Sequence, residues 1–439
     1  MSTGTFYIHT FGCQMNVHDS EQMAQLLGEA GYVKASEVGR ADIIIINTCT
    51  VREKAAQKVY SHLGRLKKLK QKNPDLIMGV AGCLAQELRG GFFRKAPYLD
   101  LVIGTHNIHR LAEIIGEIRD RRSQIVETSF RRSVQSLGIR TFPSPGSVSA
   151  FVTIMQGCNN FCSYCIVPYV RGREESRQSS DIIDEIKSLA GSGISEVTLL
   201  GQNVNSYGAT LSGDVNFPEL LRMINKIDGI NRIRFTTSHP KDLSGDLAAC
   251  FADLDKVCEH IHLPVQSGSD YVLKKMKRGY TVEEYLEKVH MLKDACPDIS
   301  ITSDMIVGFP GEKESDFQKT IDLMGKVRFD NTFSFRYCDR HGTASEGYDG
   351  KVEEAVKHER LSRLQSLQEE HSLEKNRYIE GRVEDVLVEG VSKNDDADIT
   401  GRTRGNKIVN FAGGTDLIGE TVRVKIVRAH MHSLRGDAL

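Results

Sequence analysis

Short apolar runs alternate with longer amphipathic ones along two separate stretches, and this constrains the chain most, because a parallel α/β architecture is what accommodates such a pattern. From residue 5 to about 118 the strand-like runs are Phe6–His9, Asp42–Asn47, Leu76–Ala81 and Leu101–Ile103. Helix-like runs lie between them: Ser20–Ala30, ended by Gly31; Arg52–Lys72, ended before Pro74; and one from about Ile108 to Asp120. A second series, from 150 to about 337, has strand-like runs near 151–156, 195–200, 231–237, 260–264, 300–307 and 332–336. Six such units predict an open (βα)6 barrel, with its site at the carboxyl ends of the strands.

The rest of the chain reads differently. Residues 119–147 show little apolar periodicity and carry Arg119, Arg121, Arg122, Arg131, Arg132, Arg140, Pro143 and Pro145. They read as a linker, bounded at 121–147. A polar helix is predicted from about Val352 to Tyr378. Beyond it Arg382–Val391, Ala397–Ile399, Lys407–Phe411 and Thr421–Ala429 are strand-like with Gly-rich turns, the pattern of a small all-β barrel. The expected organisation is an α/β protein: an N-terminal parallel-sheet domain over 4–120, a central open barrel over 148–375 and an all-β tail over 376–439.

At 439 residues there is room for three domains with proper cores. The 57 basic and 58 acidic residues leave a net charge of −1, so nucleic-acid binding has to use local patches. Ten cysteines are too sparse for a disulfide scaffold, and no signal segment is read before the first strand. The longest apolar stretch, Ile43–Ile46, suits a buried strand rather than a membrane span. A cytoplasmic protein with reduced thiols, away from membranes, is expected, with a monomer as the expected state.

Three of those thiols, Cys158, Cys162 and Cys165, are spaced C-x3-C-x2-C directly after the first strand of the second series. Three thiolates on one loop can hold a 4Fe-4S cluster while leaving its fourth iron free for chemistry. Structural zinc needs four closed ligands, and the nearest further candidates, His109 and Cys250, are far along the chain. A second set is hidden by its spacing. Cys13, Cys49 and Cys83 are 36 and 34 residues apart, yet each directly follows a predicted strand of the first series. Parallel strands would gather these thiols at one carboxyl edge, where α/β domains bind ligands and where three thiolates could hold a second cluster. Cys250, Cys258, Cys296 and Cys338 share no such pattern and are assigned to core or surface.

Phe11-Gly12-Cys13-Gln14-Met15-Asn16, Asn47-Thr48-Cys49-Thr50-Val51-Arg52-Glu53-Lys54-Ala55 and Gly157-Cys158-Asn159-Asn160-Phe161-Cys162-Ser163-Tyr164-Cys165 resemble the methylthiotransferases, specifically the MiaB-type tRNA enzymes. The resemblance covers nearly the whole chain. It implies a methylthiotransferase domain, a radical S-adenosylmethionine (SAM) core and a C-terminal TRAM barrel. It further implies two 4Fe-4S clusters and transfer of a methylthio group to C2 of N6-isopentenyladenosine beside the tRNA anticodon. Two SAM molecules and an electron donor, flavodoxin or ferredoxin, are implied with it.

By the same resemblance Tyr164 borders the SAM adenine, while Gln202, Asn203, Ser238, Gln266, Ser267, Asp304 and Val307 belong to the SAM cavity. RNA contact is expected from Arg402, Arg404 and Lys407 on a tail hairpin, and less from the linker arginines and from Arg65, Lys67, Lys68, Lys70 and Lys72. Two other readings stand beside this one. A methylthiotransferase for threonylcarbamoyl-adenosine is separated by the residues after Cys13, and a non-catalytic iron-sulfur or zinc RNA-binding protein by its iron and sulfide content.

Overall fold

The structure, a computed structural model, describes residues 3–50, 53–130, 143, 146–213, 215–393 and 397–439, with the backbone alone for 53–57. Arg131, Arg132, Arg140 and Pro145 of the expected linker lie outside the described residues. The first domain is a six-stranded sheet in the order β2-β1-β3-β4-β5-β6. Its strands are β1 Gly4–Phe11, β2 Tyr32–Lys34, β3 Ile43–Thr48, β4 Ile77–Gly82, β5 Leu101–Ile103 and β6 Ile125–Glu127. Every pairing is parallel. Helices cover both faces: α1 Gln14–Glu29, α2 Glu53–Lys72, α3 Cys83–Leu88, α4 Gly91–Lys95 and α5 Leu111–Arg121. The run Ile43–Ile46 is apolar throughout because both sides are covered. Ile43 and Ile45 pack with Met23, Leu27 and Ile115, and Ile44 and Ile46 with Val59, Leu63 and Phe92.

Two strands of this sheet were not anticipated. β2 and β6 are short and partly exposed and each ends on a charged residue, unlike the equally short but wholly apolar and buried β5. Ile125–Glu127 falls in the stretch read as linker, so that reading is corrected: this segment is the outer strand of the sheet, paired with β5.

The second domain has the six expected parallel strands, β7 Ser149–Thr153, β10 Glu196–Leu200, β11 Arg232–Phe235, β12 His260–His262, β13 Ser300–Val307 and β14 Asn331–Arg336. Between the first two, β8 Met155–Gln156 and β9 Glu175–Ser176 form a small antiparallel pair. Two three-stranded sheets, β7-β10-β11 and β12-β13-β14, meet through the parallel bridge Ile233↔Val257 and make the open barrel. Along β13 burial alternates. Ile301, Met305 and Val307 pack into the core beneath the helices, whereas Thr302, Asp304 and Ile306 are half-buried on the opposite face.

The helix Glu354–Arg377 leads to a closed barrel of β15 Val383–Val391, β16 Asp398–Thr403, β17 Ile408–Ala412, β18 Thr421–Ala429 and β19 Leu434–Ala438. The last strand was not read from the sequence. This tail docks at the amino ends of the open barrel's strands. Arg232 donates to the carbonyls of Arg402 and Asp385 at 2.7 and 2.8 Å, and Arg234 to those of Arg404 and Thr403 at 2.9 and 2.8 Å. No helix among the described residues is long and apolar enough to cross a membrane.

Candidate active site

The first three thiols come together through register. Phe11 pairs with Thr48 and Thr48 with Gly82, so three adjacent strands end in one row, and Cys13, Cys49 and Cys83 follow within two residues. Asn16 and Asn47, both fully buried, tie these strand ends to one another. Asn16 Nδ2 donates to Asn47 Oδ1 at 3.1 Å and to Thr48 O at 3.3 Å, and Asn47 Nδ2 returns to Asn16 O at 2.7 Å. Gly82 has φ +89°, and a Cβ there would stand 2.3 Å from Asn47 Oδ1, so glycine is required ahead of Cys83. A hydrogen bond with Cys49 brings the Cys13 thiol down to about 6, against burial and with help from the Arg171 charge. Burial pushes the Cys83 thiol up, with Arg171 opposing.

Cys158, Cys162 and Cys165 lie on the loop after β8. Gly157 opens that loop with φ +80°, and its missing Cβ would meet Arg173 O at 2.0 Å. Its N–H donates to Gln202 Oε1, which fixes one predicted SAM residue against the loop. Ser163 fastens the other end, donating from N to Met276 O at 3.0 Å and from Oγ to Lys275 O at 2.9 Å. Burial pushes Cys158 up and Cys165 up to about 12, so these thiols need a strong local cation to ionise. The buried Arg278 supplies positive charge: Nη1 is 3.4 Å from Cys162 Sγ and 3.5 Å from the Tyr164 hydroxyl. No group of three or more His, Cys, Asp or Glu among the described residues is gathered tightly enough for a single ion. A cluster spreads its ligands around four irons, so this bears on a zinc site and not on either thiol set.

Buried polar atoms without partners in the fold are candidates for contact with a polar ligand. Thr153 Oγ1, Gln156 Nε2, Gln202 Nε2, Asn203 Oδ1, Asn205 Oδ1, Ser238 Oγ and His239 Nε2 are all of this kind. They lie at or just past the carboxyl ends of β7, β8, β10 and β11. Asn203 is held by its amide donating to Asp242 at 2.7 Å, and His239 by Nδ1 accepting from Lys241 N at 3.2 Å, which turns Nε2 outward. These donors and acceptors suit a ligand that carries several polar groups, as SAM does. Gln266 lies at a strand end with φ +75° and bridges to Met305. Asp304 is half-buried and faces His262 Nε2 at 3.4 Å.

Three predicted site groups are placed elsewhere. Ser267 Oγ is 3.4 Å from Thr320 Oγ1 and accepts from Ser269 N at 3.2 Å, so its hydroxyl is engaged within the fold. The Val307 side chain is in the core, leaving its backbone alone for any ligand. The hairpin charges are engaged inside the chain. Arg404 grips Glu259 at 2.7 Å, Lys407 reaches Asp330 at 3.1 Å, and Arg402 pairs with Glu389 at 3.1 Å. These pairs hold the hairpin together and fasten the tail to the barrel. Arg278, Asn16, Asn47 and His239 were missed. Asn16 and Asn47 stood inside the quoted motifs, while Arg278 gave no local signal.

Residues 5–104 match the Uncharacterized protein family UPF0004, residues 152–324 the Radical SAM superfamily and residues 377–439 the TRAM domain. The tRNA-2-methylthio-N(6)-dimethylallyladenosine synthase of Syntrophus aciditrophicus is 60% identical over 99% of this chain and 94% of its own length. Its namesake from Geobacter sulfurreducens is 52% identical, over 98% and 96%. The chain belongs to this synthase family. The two thiol sets divide between its parts, Cys13, Cys49 and Cys83 in the UPF0004 segment and Cys158, Cys162 and Cys165 in the radical SAM segment. The radical S-adenosylmethionine methyltransferase TsrM of Kitasatospora setae shares the fold, with TM-score 0.57 and 16% identity over 79% of this chain and 77% of that one. So does the cobalamin-dependent S-adenosylmethionine radical enzyme OxsB, with TM-score 0.54 and 12% identity over 83% and 56%.

Proposed function

We propose that the chain transfers a methylthio group to C2 of N6-isopentenyladenosine next to the tRNA anticodon, giving 2-methylthio-N6-isopentenyladenosine. One observation supports this reading beyond the family name: Ile166, the neighbour of Cys165, shares a buried apolar cluster with Cys83, which links the loop of one thiol set to the other set. Cys158, Cys162 and Cys165 would hold the 4Fe-4S cluster that meets SAM, and Cys13, Cys49 and Cys83 a second cluster that serves the sulfur. Bound together, these groups supply the one-electron chemistry that cleaves SAM and breaks an aromatic C–H bond that is neither acidic nor electrophilic.

The chain's own part is to hold and orient. Gln202, Asn203 and Ser238 offer unpartnered polar atoms to SAM, Tyr164 borders the adenine, and Arg278 balances charge at Cys162. Flavodoxin or ferredoxin supplies electrons, and the enzyme works in the cytoplasm as a monomer on a tRNA that already carries the isopentenyl group.

The test uses two reconstituted triple variants and mass spectrometry of nucleosides from treated tRNA. Replacing Cys158, Cys162 and Cys165 by Ala is expected to abolish SAM cleavage while about half the iron remains. Replacing Cys13, Cys49 and Cys83 by Ala is expected to leave 5'-deoxyadenosine release and remove the methylthio product. A folded Cys13/Cys49/Cys83 variant that methylthiolates tRNA at near wild-type yield would sink the proposal.

A further inference from the structure

The helix α6 Val167–Arg171 starts two residues after Cys165, yet its last side chain belongs to the other thiol set. Arg171 Nη2 donates to Asp19 Oδ2 of α1 at 2.7 Å, with 5% and 7% of the two side chains exposed. The charge of the same guanidinium also reaches Cys83 and Cys13. The backbone is held as firmly. Thr105 Oγ1 donates to Val170 O at 2.7 Å, and His106 Nε2 is 3.0 Å from Arg171 O. Ile166 and Val170 complete the contact by packing on Cys83.

A buried arginine is costly to desolvate, and an apolar pair of similar volume often docks two surfaces as well or better. What an apolar pair cannot supply is a fixed positive charge near the Cys83 and Cys13 sulfurs. We propose that Arg171 is a positioning residue of the auxiliary site: delivered by the radical SAM domain, it seats the cluster of Cys13, Cys49 and Cys83 against α6 and, partly balanced by Asp19, raises that cluster's reduction potential. The physical reason is Coulombic. The reduced cluster carries one more negative charge than the oxidised one, and in a site of low dielectric a neighbouring cation favours it. This inference rests on the ligand assignment made above.

The test is a redox titration followed by electron paramagnetic resonance, in a background where Cys158, Cys162 and Cys165 are all Ala and only the auxiliary cluster contributes. Arg171→Met is expected to lower the midpoint by at least tenfold in the reduction equilibrium, 59 mV for one electron. Arg171→Lys should recover most of that shift, because it keeps the charge. Asp19→Asn should move the midpoint the other way, since the guanidinium then acts undiluted. A purely structural lock predicts loss of stability in both the Met and the Asn variants with no opposed shifts, so unchanged midpoints in those two overturn the inference. If Arg171→Met loses its iron, retention by Arg171→Lys supports the role of the charge and equal loss from both overturns it. A background protein that binds no four-iron complement at all overturns the ligand assignment itself, and this inference with it.

Discussion

His18 stands on α1 between the two domains, fully buried, with Nε2 3.1 Å from the Gln22 amide. Burial, then the charges of Arg177 and Arg171, bring its pKa down to about 3. The consequence for stability has a definite sign. In the unfolded chain a histidine titrates near 6.5, so between 6.5 and 3 the unfolded state binds a proton that the native state refuses. Stability is therefore lost as pH falls through that window, by up to ~1.4 kcal/mol per pH unit for one such group. His239, brought to about 2 by burial and by Arg278 and Lys241, acts the same way. Glu312 opposes them: burial raises its carboxyl to about 7, so its contribution is lost as pH rises from about 4.5 to 7. The clean measurement is a difference. Urea unfolding at pH 7 and pH 5, followed by circular dichroism, should show a smaller acid loss in His18→Gln than in the parent. An equal loss in both proteins would mean that His18 is not held neutral.

At the scale of elements, the strands that carry the chemistry were legible and those that complete the sheets were not. β3 and β4 are six-residue buried runs whose pattern is plain, and placing a cysteine after each was enough to gather the first thiol set. β2 and β6 are three-residue strands that pair only because the sheet is already there, a tertiary effect without local signature. The helices α3 and α4 are similarly brief. Within the candidate site the six thiols stand out in the sequence by loop spacing or strand-end placement, while Arg171 and Arg278 find their partners 152 and 116 residues away, beyond any local window. The hairpin after β16 carries charge that the sequence assigns to RNA contact, and in the fold Arg404 donates to both oxygens of Glu259 and to Val257 O. Arg404→Ala is thus expected to destabilise the docked tail by about 1–3 kcal/mol, seen as a lower urea midpoint. The salt dependence of tRNA binding should stay as in the parent. A slope reduced by ~0.9 per lost contact would return Arg404 to the RNA interface.

Across the whole molecule, the tail supports the barrel as much as it follows it. The six thiols and the unpartnered polar side chains lie toward the carboxyl ends of the strands, while the tail closes the amino ends, where Arg232 and Arg234 are 3% and 7% exposed. Both arginines spend donors on tail carbonyls, and Asp330, just ahead of β14, holds Lys375 at 2.7 Å and Lys407 at 3.1 Å. Burial works to raise the Asp330 carboxyl, but Lys407 and Lys375 outweigh it and keep it below the usual range. Removing the tail would therefore uncover two arginines and strip one lysine from a buried carboxylate, each loss of order 1–3 kcal/mol. A chain ending at residue 377 is expected to unfold at clearly lower urea than the full chain and to lose SAM cleavage on warming well before it does. Arg234→Met in the full chain should reproduce part of the shift, because it breaks two of the ties and also the 2.9 Å contact with Glu196. If the shortened chain instead unfolds at the same midpoint as the parent and fails only in tRNA binding, the tail is an independent reader of RNA and the barrel stands without it.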